Sequence, residues 1–318
     1  VRIVYPSTDG GFAPVFGSGE LRARLEALGE LWIADDVPDQ AELARRVASS
    51  DVVLLTTHLS DDVVRAAADV GRLRLIAFTG TGAASYVSLG LARELGIAVT
   101  NVTHYGDQAV AELTMALMLA AARDLPAADR AVREGRWDGW PGRELAGSTL
   151  AVVGFGGIGR AVAGLGRAFG MRVLVHSRSV DPDALARVAG REVGLREAFG
   201  AADVVSLHLP LCEETRGVVT SDLLDLLAPG SILVNTARGE LIAPGALAAR
   251  LARGDVRAAL DVFDPEPLAA DDPLLTVPGT VLSPHLGFRT PGAVTRMAEG
   301  AVASVEAFAA GRPVNVVA

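Results

Sequence analysis

The chain has 318 residues, half of them hydrophobic, with 35 glycines and a formal net charge of −9. That is enough apolar material for two domains, and too acidic a balance for non-specific binding to nucleic acid or an anionic membrane, both of which need a dense basic face. All 29 residues counted as Lys+Arg are arginine, which excludes a Schiff-base lysine, a phosphate-loop lysine and a lysine general base. The lone Cys212 cannot form an internal disulfide. No apolar run approaches the roughly 18 residues of a bilayer span and no signal peptide opens the chain, so the expectation is a soluble cytoplasmic protein.

In chain order, apolar and β-branched runs at 2–5, 31–34, 51–57, 73–79 and 97–101 predict strands, and 19–28, 40–48, 60–69 and 88–95 carry helical spacing. Strands separated by helices of this length imply a parallel sheet with right-handed crossovers. Residues 107–123 predict a long helix, with Ala111, Met115, Met118, Leu119 and Ala122 recurring at three- and four-residue spacing. A helix this apolar needs cover on most sides, from another domain or a second subunit. Residues 134–147, with Trp137, Trp140, Pro141 and several glycines, read as an irregular connection. A second alternating set places strands near 149–153, 172–175, 204–207, 232–235, 258–262 and 280–282. A helix over 291–309 and an extended tail over 312–317 close the chain.

Residues 150–159, LAVVGFGGIG, set Gly154, Gly156 and Gly159 as G-x-G-x-x-G directly after an apolar strand and at the start of a helix. The three glycines serve a tight turn, close approach of backbone to a pyrophosphate, and close helix–strand packing. The loop from Gly154 through Phe155, Gly156, Gly157 and Ile158 to Gly159 then holds phosphates with backbone N–H groups and the helix dipole, with no need of lysine. An NAD site places a carboxylate at the tip of the next strand to hold the ribose hydroxyls. Here the tip reads His176, Ser177, Arg178, Ser179. Hydroxyls and a guanidinium suit a 2′-phosphate that a carboxylate would repel, so NADP is expected over NAD. The alternative leaves Arg178 in solvent and gives the ribose to Asp181 or a water.

Four later segments identify a family. Residues 206–217 (SLHLPLCEETRG), 233–241 (LVNTARGEL), 259–267 (ALDVFDPEP) and 282–287 (LSPHLG) together resemble the D-isomer-specific 2-hydroxyacid dehydrogenases, in that order after the glycine loop. The resemblance runs over essentially the whole chain. It implies an α/β protein of two domains: a Rossmann-type doubly wound parallel sheet over 104–285, and a flavodoxin-like split substrate domain over 1–103 and 286–318.

By that resemblance Arg238 clamps the substrate carboxylate and polarises the 2-oxo group, His285 is the general acid/base, and Glu266 orients its imidazole. The resemblance gives the adenosine side to His208, Leu209 and Pro210, and the nicotinamide carboxamide to Asp261. Thr215, Thr236, Ala237 and Gly287 fall on further cofactor contacts. Gly80, Thr81 and Gly82 match the loop whose N–H groups bind the carboxylate, although the Asp-Asn usual just after it reads Ser85–Tyr86 here. Trp140 lies where some relatives bring an aromatic to the partner's active site; it equally suits a plain dimer contact.

The expected activity is therefore hydride transfer between NADP(H), with NAD possible, and a small 2-oxo or 2-hydroxy acid, in a homodimer. Glyoxylate/hydroxypyruvate reductases match best. Phosphoglycerate- or phosphite-type dehydrogenases, or a non-catalytic nucleotide sensor on the same fold, stand as alternatives. No metal is implied.

Overall fold

The structure is a computed structural model and describes every residue except 9, 10, 138 and 140. Trp140, with its two alternative roles, thus lies outside the described residues. The chain divides into Val1–Gly106 with Thr290–Ala318, and Asp107–Arg289.

The first unit holds strands β1 (Arg2–Tyr5), β2 (Glu30–Ile33), β3 (Val52–Leu55), β4 (Leu75–Phe78) and β5 (Ala98–Thr100). All are parallel, in the order β2-β1-β3-β4-β5. β3 and β4 are VVLL and LIAF, buried at every position, as strands covered on both faces must be. Their helices are α1 (Ala13–Phe16), α2 (Gly19–Leu28), α3 (Gln40–Ala48), α4 (Asp61–Val70) and α5 (Leu89–Glu94). Asp39, Ser60 and Ser88 cap α3, α4 and α5 with their side chains, each supplying an acceptor to an otherwise orphan N–H.

The second unit contains α6 (Asp107–Arg123), α7 (Leu125–Arg133), β6 (Thr149–Val153), α8 (Gly157–Ala168), β7 (Arg172–His176) and α9 (Pro182–Arg187). There follow β8 (Arg191–Glu192), α10 (Leu195–Gly200), β9 (Val204–Leu207), α11 (Ser221–Leu224), β10 (Ile232–Asn235), α12 (Ala246–Leu251), β11 (Arg257–Leu260) and β12 (Thr280–Leu282). The seven strands are parallel, ordered β12-β11-β10-β9-β6-β7-β8. Alternate residues of β6 feed two cores: Leu150 and Val152 join α6 and α8, while Ala151 and Val153 join Phe199 and Leu223 on the opposite face. The cover expected for α6 comes from its own unit, since it packs on α8, β10 and β11. The reading of 107–147 omits α7, where Pro126 stands at the first turn of a helix, a position proline tolerates because its missing N–H would be unpaired there anyway.

The last helix, α13 (Pro291–Ala309), belongs to the first unit and packs on α2 and β4. The tail beyond it adds antiparallel to the edge strand β5, with Val99 N donating to Ala318 O and Val317 N to Val99 O. Among the described residues no helix is long and apolar enough to cross a membrane, and no group of three His, Cys, Asp or Glu is placed to hold a metal ion.

Candidate active site

Parallel strands bring their C-terminal ends to one edge. In the second unit that edge gathers Gly154 after β6, His208 after β9, the 235–239 segment after β10, Asp261 after β11 and His285 after β12. The chain order reverses between β9 and β6, the kind of switch point at which open α/β sheets bind ligands.

The three glycines differ in what a side chain would meet. Gly154 has φ +101°, and a Cβ there would lie 2.5 Å from the carbonyl of His208 and 2.8 Å from Leu209 N. At Gly159 it would lie 2.0 Å from Gly154 O. At Gly156, the N-cap of α8, it would meet nothing within 4 Å. No side chain caps α8, and among the described residues the N–H groups of Gly157, Ile158 and Gly159 have no acceptor in the protein. Open space beside Gly156 and unpaired donors at the positive end of a 12-residue helix fit a pyrophosphate. Phe155 is buried under the Arg160 guanidinium, which also donates to the Phe155 carbonyl at 3.1 Å.

At the tip of β7, Ser177 is half-buried and Arg178 and Ser179 are exposed. His176 closes the strand with Nδ1 3.0 Å from Val193 O. Asp181 caps α9, accepting from Asp183 N at 3.0 Å and Ala184 N at 3.3 Å, and pairs with Arg160 at 3.2 Å. The Ala184 N–H leads the contacts that hold its carboxyl below the usual range.

In the next loop, burial pushes the His208 imidazole down to about 3, so the ring is neutral at physiological pH; its Nε2 lies 2.8 Å from Ser206 Oγ. Leu209 packs on the adjoining core. The Thr215 hydroxyl donates to Pro210 O at 2.7 Å and accepts from Cys212 N at 2.9 Å, which pins the turn. Cys212 is exposed, and its thiol contacts Thr215 Oγ1.

The segment after β10 is tied down by its own residues. Asn235 donates through Nδ2 to Arg238 O at 2.8 Å and accepts from Ala237 N at 3.0 Å. Thr236 is buried, and Arg238 Nη1 donates to Ala237 O at 2.6 Å. Gly239 follows because a Cβ there would fall 2.2 Å from the carbonyl carbon of Phe263. Only glycine lets the Arg238 segment lie against the one that leads to Glu266.

Asp261 is 1% exposed. Its two carboxylate oxygens accept from Leu286 N and Gly287 N, each at 2.8 Å, and its carbonyl accepts from His285 N at 2.9 Å. His285 sits at φ +54°, a left-handed conformation that costs a non-glycine residue roughly 1–2 kcal/mol and persists only when its surroundings over-determine it. The Asp261 bracket does so.

Glu266 Oε2 lies 2.7 Å from His285 Nδ1, and its Oε1 accepts from Phe263 N at 2.9 Å. Burial pushes this carboxyl up, but the His285 hydrogen bond and charge, the Phe263 N–H and the Arg238 charge outweigh it and hold it below the usual glutamate range. With Nδ1 on the carboxylate, Nε2 is the ring nitrogen left to a substrate, since among the described residues it meets no partner. The result is an oriented proton donor and acceptor within electrostatic reach of a fixed guanidinium.

In the first unit, Gly80, Thr81 and Gly82 follow β4. Thr81 Oγ1 donates to Val102 O at 2.9 Å, Asn101 Nδ2 to Thr81 O at 2.8 Å and Val102 N to Gly80 O at 2.8 Å. The N–H groups of Thr81 and Gly82 meet no acceptor among the described residues. Tyr86, at the departure from the usual loop sequence, stacks between His58 and Phe78.

Residues 115–287 match the sequence profile of the D-isomer specific 2-hydroxyacid dehydrogenase NAD binding domain. The chain belongs to that family. It is 38% identical over 301 residues to a glyoxylate reductase of Aeropyrum pernix, spanning 91% of this chain and 89% of the relative. A hydroxypyruvate reductase of Blautia hydrogenotrophica is 33% identical, with 92% and 93% covered. A D-3-phosphoglycerate dehydrogenase of Methanocaldococcus jannaschii is 36% identical over 84% of this chain but only 51% of its own length. Among solved structures, an acyclic imino acid reductase (Bsp5) in complex with NADPH and D-Arg superposes with a TM-score of 0.87 at 25% identity, each chain covered fully. This family member is accordingly an NAD(P)-dependent oxidoreductase acting on the CH–OH group of 2-hydroxy acids.

Within this dehydrogenase, sequence reading missed Asn235, Gly239 and Asn101 as residues that hold the functional segments. Gly239 was legible in principle, because an A-R-G turn between two strands raises the question of what the glycine approaches. The carboxamides carry no such signal.

Proposed function

We propose that the protein is an NADP(H)-preferring reductase of small 2-oxo acids of the glyoxylate and hydroxypyruvate type, giving D-2-hydroxy acids. The observation that carries this reading is the His285–Glu266 pair, with Nδ1 fixed at 2.7 Å and Nε2 left unpartnered, beside the Arg238 charge. When bound, the nicotinamide supplies hydride to C2 or takes it up. Arg238, with one N–H spent on Ala237 O, keeps four of its five donors for a carboxylate and a 2-oxo oxygen. His285 gives the proton from Nε2 to that oxygen in reduction and removes it in oxidation. Glu266 stabilises the charged imidazole and fixes its orientation. In the first unit, the Thr81 and Gly82 N–H groups form an anion-accepting turn of the kind the resemblance assigns to carboxylate binding.

Preference for NADP is supported by the tip of β7. Of the carboxylates around it, Asp181 is engaged by its helix cap and Arg160 and Glu214 lies within electrostatic reach of Arg178, while Ser177, Arg178 and Ser179 offer hydroxyls and a guanidinium. Asp261, with one lone pair of each oxygen on backbone N–H groups, retains acceptors for a carboxamide. The reading includes a cytoplasmic location and a homodimer, the dimer supported by Leu125, Val132 and Trp137, large apolar side chains exposed on and after α7. Initial rates with NADPH and NADH against glyoxylate, hydroxypyruvate and bulkier 2-oxo acids test it. The expected result is a higher kcat/KM with NADPH and with the smaller acids. Equal or better kcat/KM with NADH removes the cofactor preference, and no oxidation with any 2-oxo acid removes the substrate class.

A further inference from the structure

We propose that Thr114, in the middle of α6, is a positioning residue for the Arg238 segment, acting through the hydroxyl of Thr236 and resting on the reading of Arg238 as the carboxylate clamp. Thr114 is fully buried and Thr236 is 7% exposed. Thr114 Oγ1 lies 2.7 Å from Val110 O and 2.8 Å from Thr236 Oγ1. A carbonyl only accepts, so the single hydroxyl hydrogen of Thr114 goes to Val110. The hydrogen between the two threonines therefore belongs to Thr236, which donates to Thr114. This fixes both the rotamer of Thr236 and the direction of its O–H.

Thr236 stands between Asn235, whose carboxamide bridges Ala237 N and Arg238 O, and the arginine itself. The segment thus has two anchors: the Asn235 carboxamide within it, and α6 from outside. Among the described residues the Thr114 hydroxyl bonds only Val110 O and Thr236 Oγ1. Its neighbours on α6 are Met115, Leu117 and Met118, and valine would fill the same volume, were it not for the buried Thr236 hydroxyl it would leave without an acceptor. Thr114 touches no reacting atom; it holds the residue that holds the clamp.

The test is T114V, with T114S as the conservative variant, read by amide hydrogen exchange over 236–239 and by steady-state kinetics with glyoxylate. T114V is expected to raise exchange in 236–239 and the KM for the 2-oxo acid about tenfold each, while kcat stays within about twofold. T114S is expected to restore both. On a T236V background T114V should add nothing, because the shared hydrogen bond is already gone. Unchanged exchange in T114V, or a T114S as impaired as T114V, overturns the assignment. Should T114V fail to fold, T114A enters the same measurements. Exchange reads the brace by itself: faster exchange in a protein whose wild type turns over no 2-oxo acid would sink the functional reading and leave the brace standing, whereas unchanged exchange in an active enzyme would sink the brace alone.

Discussion

Alanine at each glycine of the G-x-G-x-x-G loop separates cofactor binding from packing. At Gly156 the added methyl meets no protein atom within 4 Å, and the backbone, at φ −78° and ψ −162°, is open to alanine. Folding should therefore be unharmed, or gain about 0.4–1 kcal/mol from the stiffer unfolded chain. The same methyl would stand where the backbone donors of α8 face a pyrophosphate. Losing one charge-assisted hydrogen bond, at about 1.5–3 kcal/mol, weakens NADPH binding roughly 10- to 100-fold. At Gly159 the methyl would lie 2.0 Å from Gly154 O, a backbone atom with no room to retreat. Overpacking there costs about 1–3 kcal/mol or more, several degrees in Tm, before any cofactor is added. Thermal melts of the cofactor-free proteins and NADPH fluorescence titrations give both numbers. A Gly156→Ala protein that binds NADPH like wild type, or melts as low as Gly159→Ala, would refute the reasoning.

Two further predictions concern charge. Glu266→Gln removes the negative charge beside His285 Nδ1; the carboxylate is 36% exposed, so the low end of a charged hydrogen bond applies, about 1.5 kcal/mol. Reduction of the 2-oxo acid should then slow by about tenfold in kcat/KM, and an unchanged kcat/KM would remove Glu266 from that role. For His208, burial sets the imidazole at about 3 against 6.5 when unfolded. Between those values the unfolded chain binds a proton that the folded one does not, so stability falls as pH drops below 6.5 and stops falling below about 3. Relative to His208→Gln, the wild type should lose at most about 2 kcal/mol between pH 7 and pH 5 in urea melts, and parallel curves would contradict a ring held neutral by the fold.

The alternation of β-branched runs and helical spacing made both parallel sheets legible, since strands such as VVLL and LIAF are apolar at every position only when both faces are covered. Arg238, Glu266 and His285 were legible through motifs lying at the ends of β10, β11 and β12, adjacent strands whose C-terminal ends share one edge. The spacing of 107–123 gave α6 but could not show what Thr114 does, because its partner is 122 residues away. Asp261 shows the same limit. Its motif suggests a cofactor contact, while the bracket it forms around the left-handed His285 depends on a loop that only the fold brings to it. The helix α7 falls between the two stretches read there, 107–123 and 134–147, and begins with Pro126 in its first turn.

The central claim is that Arg238, Glu266 and His285 serve hydride transfer to a 2-oxo acid with a defined hand. The most direct measurement is the reduction of hydroxypyruvate by NADPH, followed by chiral analysis of the glycerate, in wild type and His285→Asn. D-glycerate is expected from the wild type, with turnover in His285→Asn lower by about 10²–10⁴ and NADPH affinity within about twofold. L-glycerate, or a His285→Asn enzyme turning over at the wild-type rate, would contradict it.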